Sequence, residues 1–492
     1  MEKITADFLY EIIEEEVTIT KYCGNHQHVR IPEIIDGLPV RVIAPEAFAE
    51  NDGELESVTV PGSVREIGDG AFKFCLGLQE LKIEEGLEIL GTDVVLVTPI
   101  TELHIPSTVH TIRNPHELGG LMLHIAEGNP YYFSDGYGLY EKHPEGNKIL
   151  AVDLRGDRTT YSVAEGTTVI GQGAFCGEEY LEEIWLPESL RIIEEEAFES
   201  CRKLKYVHFN EGLTSIGTNA FSYCALTGVV ELPSTLEMLG ETVFTNTFDW
   251  DRYEDALTQI CISRENPHFY ADSNGLYRVL ADGSLELLRY YGVDQIWKMP
   301  DNVGRIGSHA FRRSQVKEVT IPETVKEVGE KIFWETGNLL SLKIEQDDTC
   351  VYIPRTPIYR KDEVSNLLHK TGDVAYRYDY LAYDELWPTY LYMEDQAGMA
   401  IFRLRYPLEL SSEKKAFYQD FLDAHLTEVM EDVAAREDRE RLVELSQIGY
   451  FTSANIDDAI EVLNRCGKTE LLGYLMEYKE ENIEVDEFDF VL

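Results

Sequence analysis

Apolar residues recur along this chain at an interval much longer than the period of a helix or a strand. Phenylalanines stand at Phe175, Phe198, Phe221 and Phe244, each 23 residues after the one before. In several places the phenylalanine follows an alanine, and this pair occurs at Ala47-Phe48, Ala71-Phe72, Ala174-Phe175, Ala197-Phe198, Ala220-Phe221 and Ala310-Phe311. A fixed period of this length indicates a protein built from stacked structural repeats.

A second pattern lies between these pairs and predicts a short strand. Leu181 is followed at three and five positions by Ile184 and Leu186, and Pro187 comes next. The alternation of Ile184 and Leu186 with polar residues places one side of the strand inward and the other outward. The proline cannot donate a hydrogen bond within a sheet, so it ends the strand.

Such units bury their apolar sides only when they stack on one another. The 23-residue period is that of a leucine-rich repeat. We therefore predict a β-dominated α/β fold, with a right-handed leucine-rich-repeat solenoid whose short parallel strands line the concave face, followed by a small, mainly helical C-terminal domain. The phenylalanines are predicted to form an internal ladder, so their role is structural.

The amino-acid sequence of the repeats resembles that of one family. Gly70-Ala71-Phe72, Cys75, Leu78, Leu81 and Ile83 are similar to the BspA-type class of bacterial leucine-rich repeats, and the segment 31–40 resembles the usual entry into its first repeat. The resemblance covers about residues 8 to 345. It implies a partner-binding solenoid, in a class whose members are often surface or host-interaction proteins.

The helical period appears only near the C-terminus. Ile456 to Leu463 and Leu471 to Met476 show apolar residues at helical spacing, with Gly467 as a stop and Thr469 as a cap for the second helix. The sequence of these two helices resembles that of an ankyrin-type helix pair, which implies a second partner-binding element. A strand is expected at Met399 to Tyr406.

These patterns predict a domain order. We expect N-terminal capping strands at 1–45, the solenoid at 46–350 with hairpin insertions near 129–170 and 266–306, a tyrosine-rich connector at 351–410, the ankyrin-like helices at 411–480 and an acidic tail at 481–492.

Alternation also predicts which side chains face outward from the strands. The predicted partner-binding residues are Glu183, Trp185, Tyr206, His208, Glu231, His104 and His124. Trp185, Tyr206 and His208 are expected to be neighbours, and exposed aromatic side chains among polar groups commonly anchor protein interfaces. The competing interpretation is that these side chains merely cover the sheet or pack under an insertion.

Charge narrows the class of partner. The formal net charge is −47 at pH 7 and the isoelectric point is near 4.5. A strongly negative field repels phosphates and anionic lipid, so we expect no nucleic-acid partner and no membrane insertion. The first residues lack the basic and apolar segments of a secretory signal. The expected location is cytoplasmic, or the cell surface or secreted if a leader has been removed.

Residues for metal binding or catalysis are few. Cys23, His26 and His28 could offer three metal ligands, but a polar loop explains them better, and turn chemistry explains Asp135 and Asp272 beside glycines better than calcium binding does. Cys75, Cys201 and Cys224 each stand three residues after a repeat phenylalanine, which is typical of packing. We expect no catalytic residues, no cofactor and no metal.

The sequence thus favours a non-enzymatic scaffold that binds a protein or peptide through the exposed face of the repeat sheet. One alternative is an enzyme whose catalytic part lies in 355–492, where His369 and His425 occur, with the repeats as its recognition arm. The other is a glycan-binding adhesin that uses Trp185 and Tyr206.

Overall fold

The structure is a computed structural model that describes residues 3–51, 54–118, 120–154, 158–244, 248–249, 254–255, 257–354, 367–369, 377–389 and 392–483. The chain divides into two compact units, residues 1–272 and 273–492. The repeats form β-solenoid turns, about 13 of them between residues 17 and 344, and helices begin at residue 380. The predicted repeat fold and the helical C-terminal region are both confirmed.

In the first unit the strands form two series of parallel ladders. One series contains His28–Arg30, Ser57–Val60 and Glu80–Ile83, then Glu102–Ile105 and Met122–Ile125, then Thr160–Ser162, Glu183–Trp185 and Tyr206–His208, then Gly228–Glu231 and Leu257–Cys261. The other begins with the antiparallel strands Lys3–Ile4, Phe8–Ile13 and Glu16–Tyr22, and continues in parallel through Leu38–Ile43, Glu66–Ile67, Ile89–Leu90 and Thr111–Ile112, with Ile34–Ile35 beside Leu38–Ile43.

The second series resumes after an antiparallel meander in the segment where an insertion is predicted. The strands are Tyr132–Ser134, Gly138–Glu141 and Asn147–Val152, followed in parallel by Thr167–Ile170, Ile192–Ile193, Ser215–Ile216 and Met238–Leu239. The other elements of this unit are the antiparallel strands Phe248–Asp249 and Glu254–Asp255, the strand Phe269–Ala271 and a 3₁₀ turn at Pro115–Leu118.

The second unit contains the last repeats and the helices. Its strands are Gly275–Val279, Leu285–Tyr290, Val303–Ile306 and Glu327–Val328 in one sheet, Ile296–Lys298, Glu318–Ile321, Ser341–Ile344 and Thr349–Tyr352 in another, and the pair Leu368–His369 and Arg377–Tyr378. The 3₁₀ turns are Glu345–Asp347 and Trp387–Thr389, and the helices are Tyr380–Glu385, Met393–Arg405, Ser412–Ala424, Leu426–Arg436, Arg439–Gln447, Ile456–Arg465 and Thr469–Asn482.

The phenylalanines form the predicted internal ladder. The rings of Phe175 and Phe198 stack with centroids 4.7 Å apart, and those of Phe198 and Phe221 stack at 4.9 Å. All three side chains are fully buried. The backbone follows the same spacing, because the amide of Phe198 donates to the carbonyl of Ala220 at 2.8 Å. Neighbouring repeats therefore share one apolar interior.

The cysteines of the repeats complete this packing. The thiols of Cys201 and Cys224 donate to the carbonyls of Phe175 and Phe198 at 2.9 and 3.1 Å, and the thiol of Cys75 donates to Phe48 at 3.0 Å. Each thiol is therefore hydrogen-bonded to the backbone carbonyl of the phenylalanine in the preceding repeat. The predicted packing role of this recurring position agrees with these contacts.

Asn129 and Asn266 make the same four hydrogen bonds, although they stand far apart in the sequence. Each amide nitrogen donates to two carbonyls of the preceding repeat, and each amide oxygen accepts from the backbone amides two and three residues later. The four distances are 2.8 to 3.0 Å in both cases. One buried asparagine therefore anchors the start of each asparagine-proline segment to the repeat before it.

A helix covers the strand Thr349–Tyr352 of the second unit, and a glycine permits the contact. Gly398 lies so close to the ring of Tyr352 that a Cβ atom there would be 2.4 Å from the ring carbon Cζ. A single hydrophobic core joins repeat residues such as Phe333 to helix residues such as Met430. Within this unit the helices therefore bury the end of the repeat stack, which would otherwise expose apolar surface.

Two local expectations in this region are wrong. Met399 to Tyr406 was expected to be a strand, but residues 393–405 form a helix. A short apolar run is compatible with a buried strand and with a buried helix. Here several consecutive residues are buried, so the run has no period that separates the two structures. Thr469 is the first helical residue and not the cap, which is Lys468 without a side-chain hydrogen bond. Gly467 does end the preceding segment, with φ +69°. The predicted acidic tail lies almost entirely outside the described residues.

Candidate functional site

Four of the predicted site residues come together on one three-stranded sheet. In strands 183–185 and 206–208, Glu183 pairs with Tyr206 and Trp185 pairs with His208. Trp185 is 39% exposed and Tyr206 is 51% exposed. We call these four residues the aromatic patch.

The local sequence explains why the patch faces outward. Leu181, Ile184 and Leu186 are buried at the positions that the repeat pattern assigns to the interior. A strand alternates its side chains between two faces, so Glu183 and Trp185 must point the other way. The patch is therefore a direct consequence of the repeat period.

The patch is held together by contacts among its own side chains. The Nε2 atom of His208 lies 2.7 Å from Oε1 of Glu183, so the carboxylate fixes the orientation of the imidazole. The rings of His208 and Trp185 stack with centroids 5.0 Å apart and planes 6° from parallel. This preorganisation lowers the entropic cost of placing an aromatic anchor at an interface.

Glu231 does not belong to the same sheet. It is exposed on the strand Gly228–Glu231, which pairs with Leu257–Cys261 and not with the strand of Tyr206. Its neighbour Val229 is 53% exposed. Glu231 thus lies on the outward side of its own strand, as predicted. That strand is not paired with either strand of the aromatic patch.

His104 and His124 form a second group on the strands Glu102–Ile105 and Met122–Ile125. The two histidines are directly opposite each other in the register, and their rings stack at 4.5 Å with planes 15° apart. Glu102 joins them, since its Oε2 atom lies 3.3 Å from Nε2 of His124. The sequence places Glu102 on the outward face, but its approach to His124 depends on the register.

Outward alternation fails at Thr320, which lies between the inward residues Val319 and Ile321 of its strand and would therefore be expected on the exposed side. Thr320 is buried in the second unit. Its partner across the sheet is Lys343, on the strand Ser341–Ile344, which pairs on its other side with the antiparallel strand Thr349–Tyr352. The exposed face is therefore not continuous over every repeat.

The cluster Cys23, His26 and His28 is spread over different contacts. The His26 imidazole lies 3.3 Å from the carboxylate of Asp7, and the His28 imidazole lies 2.9 Å from the hydroxyl of Ser57. In the described part of the chain these three residues do not bring their donor atoms together as a metal-binding group would.

Asp135 has protein partners for both carboxylate oxygens. One oxygen accepts from the backbone amides of Tyr137 and Gly138, and the other accepts from the hydroxyls of Tyr161 and Tyr140 at 2.6 and 3.2 Å. Burial, helped by the charge of Asp135, raises the pKa of both tyrosines well above the usual value. This arrangement is that of a turn aspartate, as expected from the sequence.

Comparison with known families settles the class of the repeats. Six copies of the BspA type leucine rich repeat region match residues 19–115, 158–254 and 294–365, which together make up more than half of the chain. The chain belongs to the BspA-type leucine-rich-repeat family. Members of this family are in general non-enzymatic repeat proteins.

The chain is also similar to three solved structures of bacterial proteins. A leucine-rich cell surface protein from Faecalibacterium prausnitzii is 23% identical over 70% of this chain and 76% of its own, with a TM-score of 0.32. The pneumococcal vaccine antigen PcpA is 17% identical over 67% and 93%, with a TM-score of 0.40. A leucine-rich repeat protein from Bacteroides ovatus is 16% identical over 73% and 97%, with a TM-score of 0.39. No curated protein sequence matches the chain.

The helices of this BspA-type protein bear on the alternative of a catalytic C-terminal part. His425 ends the helix Ser412–Ala424, and its Nδ1 atom lies 2.8 Å from the carbonyl of Phe421. Its ring packs on that of Phe421 at 4.5 Å. These contacts give His425 a role at the helix terminus. The side chain of His369 lies outside the described residues.

Across the described residues, every helix is too short or too polar to span a bilayer.

Proposed function

We propose that this BspA-type protein is a non-enzymatic scaffold that binds a protein or peptide partner through the aromatic patch. The observation that carries the proposal is the stacked pair of Trp185 and His208 beside the exposed ring of Tyr206. Tryptophan and tyrosine are the residue types that most often dominate the binding energy of protein interfaces.

The aromatic patch is both exposed and ordered. A side chain that is held by its neighbours loses little conformational entropy when a partner covers it. Trp185 is held by His208, which in turn is held by Glu183. Repeat solenoids use such outward faces as extended binding surfaces.

The net charge of −47 favours a partner with a basic surface around an apolar contact. Opposite charge accelerates association over distances up to the Debye length, while the aromatic contact determines how slowly the complex dissociates. We therefore expect association to slow as salt concentration rises.

The test compares capture of partners from the source lysate by the intact protein and by a Trp185→Ala, Tyr206→Ala variant. The matched control is Tyr180→Ala, because Tyr180 is 38% exposed but lies outside the strands. We expect one captured protein to be lost with the double variant and retained with the control. Equal capture by all three proteins would remove the aromatic patch from consideration.

The same variants separate a protein partner from a glycan. Binding to a glycan array that Trp185→Ala abolishes, together with unchanged protein capture, would favour the adhesin alternative. A silent array with loss of one captured protein would favour the scaffold.

A further inference from the structure

Glu102, His104 and His124 bring two imidazoles and one carboxylate together on the outer face of a two-stranded sheet. One donor atom from each residue lies within 4.8 Å of the donor atoms of the other two. We propose that these three residues bind a divalent transition-metal ion of the Zn²⁺ type. The proposal is independent of partner binding by the aromatic patch, and it departs from the expectation that the chain has no metal site.

The geometry of the strands places the three donors on one side. Glu102 and His104 are two residues apart on one strand, so both face outward. His124 is directly opposite His104 on the neighbouring strand. The strands are parallel and paired in register, so backbone hydrogen bonds fix the backbone positions of the three residues. Only side-chain rotation is then needed for the three donor atoms to converge.

The spacing of the donors is compatible with a bound ion. Ligands at the usual zinc distances of about 2.0–2.2 Å stand roughly 3.3 Å apart in a tetrahedron. The His124 Nε2 atom and the Glu102 Oε2 atom already have a separation of 3.3 Å. The third donor therefore needs to move by no more than about 1.5 Å, which a change in side-chain torsion supplies.

The donor types decide which ions fit. Two imidazoles suit Zn²⁺, Cu²⁺ and Ni²⁺, whereas Mg²⁺ and Ca²⁺ prefer sites made wholly of oxygen. Two histidines and one glutamate leave one tetrahedral position for water. The strongly negative chain further favours a cation at its surface.

The chain contains a second copy of this geometry that lacks one ligand. Glu183 contacts His208 at 2.7 Å, as Glu102 contacts His124, and the residue directly opposite His208 is Trp185 where the first group has His104. The aromatic patch is therefore a natural control. It has the carboxylate and one imidazole of the proposed site but not the second imidazole.

This likeness allows each group to be converted into the other. In His104→Trp the first group becomes Glu, Trp and His, an arrangement that the fold already accepts at 183–208. In Trp185→His the second group gains the missing imidazole. Both changes are on exposed positions, so the circular dichroism spectrum and the melting temperature of the metal-free proteins should stay close to those of the parent.

The experiment is equilibrium dialysis of the full chain against Zn²⁺, with Mg²⁺ as the comparison ion. We expect one Zn²⁺ per chain to be lost in His104→Trp and in His124→Ala, with affinity reduced by roughly 100-fold or more, because even outer-shell partners of metal ligands contribute 10- to 100-fold. Trp185→His should bind one additional ion. His110→Ala is the matched control, since His110 is exposed outside the group, and it should bind as the parent does.

Exposed thiols are a competing source of zinc binding, and Co²⁺ distinguishes them. Cys23, Cys176 and Cys466 are exposed. Thiolate ligands give Co²⁺ strong ultraviolet charge-transfer absorption, whereas a site of two imidazoles and a carboxylate gives only weak visible bands. Weak visible bands that disappear in His104→Trp support the proposal.

Three results would overturn the proposal. The first is equal Zn²⁺ stoichiometry and affinity in the parent, in His104→Trp and in His124→Ala. The second is a Co²⁺ spectrum that is dominated by thiolate absorption and unchanged in His104→Trp, and the third is the absence of an additional ion in Trp185→His.

Discussion

Truncation of one ring in the phenylalanine ladder gives the sharpest test of the repeat core. Phe198 is fully buried and has a stacked ring on each side, Phe175 at 4.7 Å and Phe221 at 4.9 Å. The change Phe198→Ala removes the ring from the middle of the ladder. The two neighbouring rings belong to different repeats, so the loss affects both interfaces of the central repeat.

The magnitude follows from burial and from the cavity. Transferring a phenylalanine side chain out of water contributes about 1.5–3 kcal/mol. The backbone hydrogen bonds on both sides hold the neighbouring repeats in place, so the space cannot collapse fully and a cavity term is added. The free energy of unfolding should fall by about 3–5 kcal/mol.

The assay is urea unfolding followed by circular dichroism, combined with amide hydrogen exchange. Contacts in a solenoid are made between neighbouring repeats, so exchange should increase most between residues 174 and 224. Phe198→Leu keeps most of the volume and should cost about half as much or less. Tyr180→Ala, on an exposed ring, should stay within about 0.5 kcal/mol of the parent. A midpoint for Phe198→Ala equal to that of Tyr180→Ala would refute the shared interior.

Three further predictions concern a buried thiol, a buried ion pair and a half-buried carboxyl group. Iodoacetamide under native conditions should label Cys466, which is exposed, but not Cys201, because burial shields its thiol and raises its pKa; peptide mass spectrometry reads the result. Arg403→Met should lower the free energy of unfolding of the helical region by about 3–5 kcal/mol, because it leaves the buried carboxylate of Asp384 without the bond from Arg403 Nε at 2.7 Å; urea unfolding measures it. Melting temperature against pH should fall less steeply between about pH 4.5 and pH 7 in Glu178→Gln than in the parent.

Proton binding by Glu178 differs between the folded and the unfolded protein. Burial raises the pKa of Glu178 to about 7 in the folded protein, from the ordinary value of 4.5. Between these values the folded state holds the proton and the unfolded state does not, so the stabilising contribution of the neutral form is lost as pH rises through this window. Glutamine stays neutral and removes that loss. Identical pH profiles for parent and variant would contradict the assignment.

Each of the other two predictions also has its contrary result. For the ion pair, Arg436→Ala is the control, since Arg436 is paired with Asp432 at the surface and should change stability by no more than about 1 kcal/mol. An Arg403→Met protein as stable as Arg436→Ala would show that the buried pair contributes nothing. For the thiols, equal labelling of Cys201 and Cys466 in the folded protein would contradict the burial of the repeat cysteines.

The local sequence pattern was sufficient to predict the stacked repeats. The spacing of Phe175, Phe198 and Phe221 predicted a stacked ladder, and the structure confirms it. The alternation around Ile184 predicted that Trp185 faces outward. Both predictions depend on interactions between residues close in sequence or one repeat apart, which a fixed period encodes directly.

Local pattern was insufficient where structure depends on packing. The helix at 393–405 was expected to be partly a strand, because its buried side chains do not follow a clear period. Arg403 is fully buried there by its bonds to Asp384, a partner 19 residues earlier that no spacing rule indicates. The ankyrin-like character of the last helix pair remains a prediction.

The sequence by itself determined that the chain repeats, which residues fill the interior and which alternate ones face water. The tertiary structure decided the contacts where the repeat length departs from 23 residues. His104 and His124 are 20 positions apart, whereas Trp185 and His208 are 23 apart, yet both pairs stack across neighbouring strands. The physical reason is that strand register is set by backbone hydrogen bonds and turn lengths, so a fixed period gives the second pairing but not the first.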